Sequence, residues 1–331
     1  MDLSIVWAAV IVVGVVMYVI MDGFDLGVGI LSPWVRSENE RSVMMASVAP
    51  VWDGNETWLI LGGVAIMAAF PRAYASLLPA LYFPIFLFLF GLILRGVAFE
   101  FRHRAERSTG LWNASFAIGS TLAAFSQGVI LGAFIQGFDL SGVTFVGGPF
   151  DWLSPFTIVI GVAMVIGYGL LGATWLIMKT SGDFQDWCYG AAIKLAVGVL
   201  AAMAVVSIWT PLADADIADR WFSWPGMLWL LPVPVVTAFV FLGLWRALVR
   251  RREIAPFVLS ILAFLLGFLG LAISLWPYIV PRHLTIWDAA STPGSQAFLL
   301  VGALIMLPII LIYTGHNYWV FRGKTDRADG Y

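Results

Sequence analysis

Val10-Ile11-Val12-Val13-Gly14-Val15-Val16-Met17-Tyr18-Val19-Ile20-Met21 is the centre of an apolar run that begins near Ser4, and Asp22-Gly23-Phe24-Asp25-Leu26-Gly27 follows it directly. A helix needs about 20 apolar residues, each rising about 1.5 Å, to cross the roughly 30 Å hydrocarbon core of a bilayer. The run is long enough. It lacks the basic start and short apolar core of a secretory signal, because Asp2 is acidic and the apolar stretch continues to Met21. It is therefore expected to remain as a first membrane helix.

The same length test, carried along the chain, selects nine segments: 4–30, 43–70, 74–101, 112–136, 155–179, 187–210, 225–247, 256–280 and 296–321. None shows the apolar–polar alternation of a barrel strand, so helices must satisfy their own backbone in lipid. Composition agrees. The chain is 61% hydrophobic and 11% charged, against about 45–50% and about 25% in a soluble domain. The expected fold is all-α, a polytopic bundle of about nine transmembrane helices forming one integral membrane domain over residues 1–331. Loops are short, and the longest, from Gly137 to Ser154, contains Gly147, Gly148 and Pro149. Trp34, Trp112, Trp152, Trp187, Trp209, Trp224, Trp276 and Trp319 fall near predicted helix ends, where amphipathic rings anchor at headgroups.

Basic residues divide unevenly between the two sets of ends. One set carries Arg36, Arg41, Arg102, Arg104, Arg107, Lys179, Arg246, Arg250, Arg251, Arg252, Arg322, Lys324 and Arg327; the other carries only Arg72, Arg220 and Arg282. The positive-inside rule assigns the richer side to the cytoplasm. The N-terminus is then outside and the C-terminus cytoplasmic, as an odd number of helices requires. The outer side is acidic, with Asp139, Asp151, Asp214, Asp216, Asp219 and Asp288.

Ionisable residues within spans cost about 2.5–3.5 kcal/mol each on insertion scales and usually face a bundle interior or a wet path. Here they cluster. Asp22 and Asp25 stand at i, i+3, on one face of the first helix and in its cytoplasmic part. The second segment carries Pro50-Val51-Trp52-Asp53-Gly54-Asn55-Glu56-Thr57-Trp58-Leu59, where Asp53 and Glu56 again share a face. If that helix starts at residue 43, Asp53 is about 15 Å along it, near mid-membrane. The third segment ends in Arg95-Gly96-Val97-Ala98-Phe99-Glu100-Phe101-Arg102, with Arg95 at about the depth of Asp22 and Asp25. A buried pairing of Arg95 with those carboxylates follows, because each charge alone would be expensive.

Plainer readings stand beside these. Carboxylates near a helix end also serve as interfacial residues or helix–helix glue. Lys194 can snorkel to the cytoplasmic edge, Gln127 can donate a hydrogen bond between helices, and Cys188, the one cysteine, reads as a small apolar residue inside a helix. Haem b needs His or Met as axial ligand. The three histidines, His103, His283 and His316, fall in predicted loops or near a helix end, and methionines in apolar helices usually pack. The chain is thus expected to ligate no haem and no metal by itself. No phosphate-binding loop or nucleophile–base spacing is present, and composition gives no support for nucleic-acid binding.

The stretches Asp22–Gly27 and Pro50–Leu59, in that order, resemble the two signature stretches of cytochrome bd-type quinol oxidase subunit II, and Arg95–Arg102 is similar as well. The resemblance runs the whole chain. It implies a heterodimer in the bacterial cytoplasmic (inner) membrane with a haem-bearing subunit I, which carries two b haems and haem d. Small accessory membrane subunits are allowed as further partners, and quinol and oxygen are the substrates of the complex. Some members bind a quinone in this subunit, for which no residue here marks a site. The resemblance also implies a proton path from the cytoplasm at the positions matching Asp25 and Asp53, with Asp22, Glu56 and Glu100 as weaker candidates and Arg95 as ion-pair partner. Two other readings fit the same acids: a proton-coupled secondary transporter, whose marks are intramembrane acids and glycine-interrupted helices, and a purely structural membrane partner.

Overall fold

The computed structural model describes residues 2–102, 104–105 and 107–325; His103 and Arg327 lie outside them. The chain runs α1 (Leu3–Leu31), α2 (Glu38–Val48), α3 (Trp52–Ala69), α4 (Pro71–Ala80), α5 (Tyr82–Arg102) and α6 (Thr109–Gln136). A hairpin of β1 (Leu140–Ser141) and β2 (Thr144–Phe145) leads to α7 (Pro155–Lys179), α8 (Gly182–Ala213), α9 (Ala215–Phe222), α10 (Gly226–Leu230), α11 (Pro232–Val249) and α12 (Ala255–Leu275). A second hairpin, β3 (Tyr278–Val280) and β4 (Leu284–Thr285), precedes α13 (Pro293–Val320).

Among the described residues eight helical stretches are long and apolar enough to cross a membrane, or nine when the bent pair α3–α4 counts as one span. The all-α reading holds, but three segments are not the straight helices expected. The segment 43–70 is broken at residues 49–51, between α2 and α3. Pro50 is the cause: it has no N–H for the ladder and its ring clashes one turn back. The carbonyl freed there accepts a hydrogen bond from Asn317 Nδ2 on α13 at 3.0 Å, so irregular backbone is satisfied by protein. The segment 74–101 begins inside α4, which bends 120° from α3 at Phe70–Pro71. The segment 256–280 ends early as well, because residues 278–280 form β3.

Caps mark the helix starts. Ser37 and Glu40 form a reciprocal capping box on α2, and Ser154 with Thr157 does so on α7, where Pro155 occupies the first turn. Asp2 accepts the Ser4 backbone N–H at the start of α1.

Lipid tails are as apolar as leucine, so association of these helices rests on close packing and interhelical hydrogen bonds. α1 is the central helix and touches α3, α6 and α7. Small residues set its approach: a methyl group on Gly27 would stand 2.7 Å from Gly172 N on α7. The α5–α6 crossing is equally tight, and a methyl on Gly119 would stand 2.7 Å from Arg95 N. That crossing carries Arg95 into the interior. α13 lies at the edge, and Gln296 is its one buried residue among those described.

The two charged ends are distinct. At the basic end Arg102 pairs with Glu38, Arg251 with Asp186, and Lys324 with Glu253. At the other end Arg282, in the left-handed region at φ +65°, joins Asp214 to the Gln136 carbonyl (Nη1–O 2.6 Å), and Arg72 reaches the Asp288 carbonyl.

Candidate functional site

The interior between α1, α3 and α5 holds a charged cluster. Arg95, on α5, has no solvent exposure, and its Nη1 donates to Asp22 Oδ1 at 2.6 Å. Its Nη2 donates to Glu56 Oε1 on α3. The planar fork thus bridges two carboxylates on two helices, a geometry that suits arginine rather than lysine. The guanidinium also lies 5.9 Å from the Trp52 ring centroid, and Trp52 stacks on Phe99 with centroids 5.0 Å apart.

Asp25 is as buried as Asp22, one helical turn on, but its partner is different. Its Oδ2 accepts from Asn55 Nδ2 at 2.7 Å, and the same amide nitrogen donates to the Met21 carbonyl at 3.3 Å. Asn55 Oδ1 accepts from Tyr318 OH on α13 at 2.9 Å. Asp25 Oδ1, Asp22 Oδ2, Arg95 Nε and Tyr18 OH have no hydrogen-bond partner among the described residues. Buried polar groups are normally satisfied, so these four atoms set this cluster apart from the ordinary packed interior. Arg95 thus bonds two of the three carboxyl groups, Asp22 and Glu56, while Asp25 is held by Asn55.

Aromatic rings pack beside the cluster toward the basic end. Phe24 stacks on Trp175 at 4.2 Å, with Phe257 and Tyr318 against both. Beyond them Lys179 lies 4.8 Å from the Trp175 ring centroid. Arg102 Nε donates to Asn113 Oδ1 at 2.6 Å, and Arg102, Asn113 and Arg41 all donate to Glu38. Burial pushes the Glu38 carboxyl up, yet those hydrogen bonds outweigh it and hold the group below the usual range.

The expected residues therefore separate. The structure brings together Asp22, Arg95 and Glu56, with Asp25 alongside through Asn55. Asp53 is not in the cluster. It occupies the first turn of α3 and is exposed on the outer face of the chain. Because Pro50 ends α2, counting depth from residue 43 fails. Asn55 bonds to Asp25, so Asp53, two residues earlier, is no deeper than Asp25. Glu100 is exposed on α5. Arg95 forms no ion pair with Asp25 among the described residues. Gln127 does link helices, but as acceptor of Tyr168 OH at 2.7 Å. Cys188 is buried in α8, and Lys194 is exposed there.

Sequence reasoning missed Asn55, Tyr318 and Tyr18. Tyr18 had a signal, since it precedes Asp22 by four residues and shares its face. Tyr318 had none, because no local pattern links it to residue 55.

The family described as cytochrome bd terminal oxidase subunit II matches residues 3–321. This chain belongs to that family. The subunit is 30% identical to cytochrome bd-I ubiquinol oxidase subunit 2 of Escherichia coli, over 99% of this chain and 96% of that protein. It is 27% identical to cytochrome bd ubiquinol oxidase subunit 2 of Bacillus subtilis, over 99% and 97%. The solved bd oxidase of Geobacillus thermodenitrificans shares its fold, with TM-score 0.80 at 18% identity over 97% of this chain and 99% of that one. The subunit is thus part of an oxidoreductase complex in a membrane, and the match decides against the transporter. Haem is the cofactor that the family implies for the complex. Of the three histidines, His283 and His316 are exposed, and no group of three His, Cys, Asp or Glu side chains among the described residues is placed to hold a metal ion.

Proposed function

We propose that this subunit supports a haem-bearing subunit I in a quinol oxidase of the bacterial cytoplasmic membrane and supplies that partner with protons from the cytoplasm. The N-terminus lies outside and the basic end lies in the cytoplasm. Quinol oxidation releases protons at the outer side, oxygen reduction consumes protons drawn from inside, and charge separates without a pump. The haems of the complex belong to the partner.

The observation that carries this reading is the Asp22–Arg95–Glu56 bridge with Asp25 beside it. Asp25 is six residues from the end of α1 at Leu31, so about 9 Å from it. A proton entering at the basic end meets Asp25 and Asp22 first. Arg95 orients Asp22 and Glu56 toward one another. Glu56 is the exit, since its side chain keeps 26% exposure while Asp22 and Arg95 keep none. Asp53, one turn before Glu56 on the same outward side of α3, receives the proton next, at the face that a docked partner would cover. An acid cannot face lipid cheaply, which makes this side of the chain a natural seat for subunit I.

The test is oxygen consumption by the assembled complex. Asp25→Asn and Asp53→Asn are each expected to lower turnover about ten-fold or more, the scale of a lost proton-transfer group, with the haem spectrum intact. Wild-type turnover in Asp25→Asn would instead assign the acids a purely structural role.

A further inference from the structure

The hydrogen bonds around Asp25 are directional. The Met21 carbonyl can only accept, so the Asn55 atom facing it must be the amide nitrogen. That nitrogen also faces Asp25 Oδ2 at 2.7 Å. The other end of the amide is then Oδ1, an acceptor, and Tyr318 OH at 2.9 Å must donate to it. The amide is held at both ends and cannot turn over.

This has a consequence for Asp25. Its Oδ2 already accepts from the Asn55 amide, which makes that oxygen less basic than Oδ1. The oxygen left to bear a proton is Oδ1, which has no hydrogen-bond partner among the described residues. We infer that Asn55 and Tyr318 are positioning residues that assign proton uptake to Oδ1 of Asp25. The inference rests on the proton path proposed above. Water delivers the proton as hydronium and is left neutral, the new O–H bond forms at Oδ1, and the proton leaves from that oxygen. Oδ2 remains the acceptor of Asn55 throughout.

Tyr318 suits the task because it is itself anchored. Its ring packs on Phe24 and Trp175, with centroids 6.4 and 6.2 Å away. Just beyond it, Lys179 donates to the carbonyls of Phe321 and Gly323 at the end of α13. The last helix therefore reaches Asp25 of the first through one phenol and one amide.

The experiment is a double-mutant cycle in the purified oxidase complex. Tyr318→Phe keeps the ring and removes the donor. It is expected to lower kcat about five-fold, or about 1 kcal/mol at 1.36 kcal/mol per decade, with KM for quinol and the haem spectrum unchanged. Asn55→Leu is expected to lower kcat further. The double variant should match Asn55→Leu alone, because Tyr318 acts through Asn55 and coupled residues are non-additive. Wild-type kcat in Tyr318→Phe, or losses that simply multiply in the double variant, would overturn the assignment. The Asp25→Asn variant separates this from failure of the path. If its turnover is normal the path itself is wrong. If its turnover falls while Tyr318→Phe is normal, only the positioning role is lost.

Discussion

Arg95 Nη1 lies 2.6 Å from Asp22 Oδ1, and neither side chain has any solvent exposure. The pair joins α5 to α1 inside the bundle, and through Glu56 the same guanidinium reaches α3. A single side chain thus ties three helices that no hydrophobic force draws together in lipid.

Replacing Arg95 with leucine leaves Asp22 buried and unpaired. Breaking a buried ion pair in this way costs about 3–5 kcal/mol. The expected outcome is little or no assembled complex after detergent extraction. Arg95→Lys should rescue poorly, because a compact ammonium lacks the two separated nitrogens with which Arg95 reaches one carboxylate each on α1 and α3. Normal yield and thermal midpoint for Arg95→Leu would show that the bridge is not structural.

Gly27 sets the approach of α1 to α7. A methyl there would meet backbone on α7, including Gly172 N at 2.7 Å, and backbone cannot step aside as a side chain can. Gly27→Ala should therefore lower the thermal midpoint of the complex, at a cost of about 1–3 kcal/mol for an overpacked site. Gly190→Ala is the control, since a methyl there meets nothing within 4 Å. Equal midpoints for the two variants would contradict the close crossing.

Asp214 accepts from Arg282 Nε at 3.0 Å and caps α9 through the Asp216 and Ile217 N–H groups. Burial pushes its carboxyl up, but Arg282 and those N–H groups outweigh it and hold it below the usual range. A depressed folded-state value means that the contribution is present above the unfolded value of about 3.9 and is lost as pH falls through the lower folded one. Thermal midpoints measured from neutral pH down through that range should fall less steeply for Asp214→Asn than for wild type. Parallel curves would exclude the linkage.

Lys179 holds the end of α13 by its carbonyls, and Thr325 N donates to the Lys179 carbonyl at 2.7 Å. Lys179→Met should free this strap. Amide hydrogen exchange at Asn317 to Thr325 is expected to quicken, while exchange in α5 and α6 stays as in wild type. Unchanged exchange near Thr325 would mean that the strap contributes nothing.

The helices were legible because each satisfies its backbone locally, so an apolar run of sufficient length is enough to announce one. The break at residues 49–51 was legible in principle from Pro50, yet the apolar residues on either side outweighed it in a length-based reading. The two hairpins, each only a few residues per strand, carry no such signal. In the site, Asp22, Asp25, Glu56 and Arg95 stood out because a charge in an apolar run is conspicuous. Asn55 and Tyr318 did not, since a neutral amide and a phenol in a helix are ordinary until their neighbours are known.

From its sequence alone this chain was determined to be a helical membrane protein with a group of acids within its first two spans, because hydropathy and charge act residue by residue. A pairing of Arg95 with an α1 carboxylate was expected as well; tertiary structure alone decided that it is Asp22, that the same guanidinium also reaches Glu56, that Asp25 is held by Asn55 and Tyr318, and that Asp53 faces outward. In a medium as apolar as the side chains themselves, which face of a helix turns inward is set by glycine-mediated contacts and polar pairs between distant segments, and no local pattern encodes those.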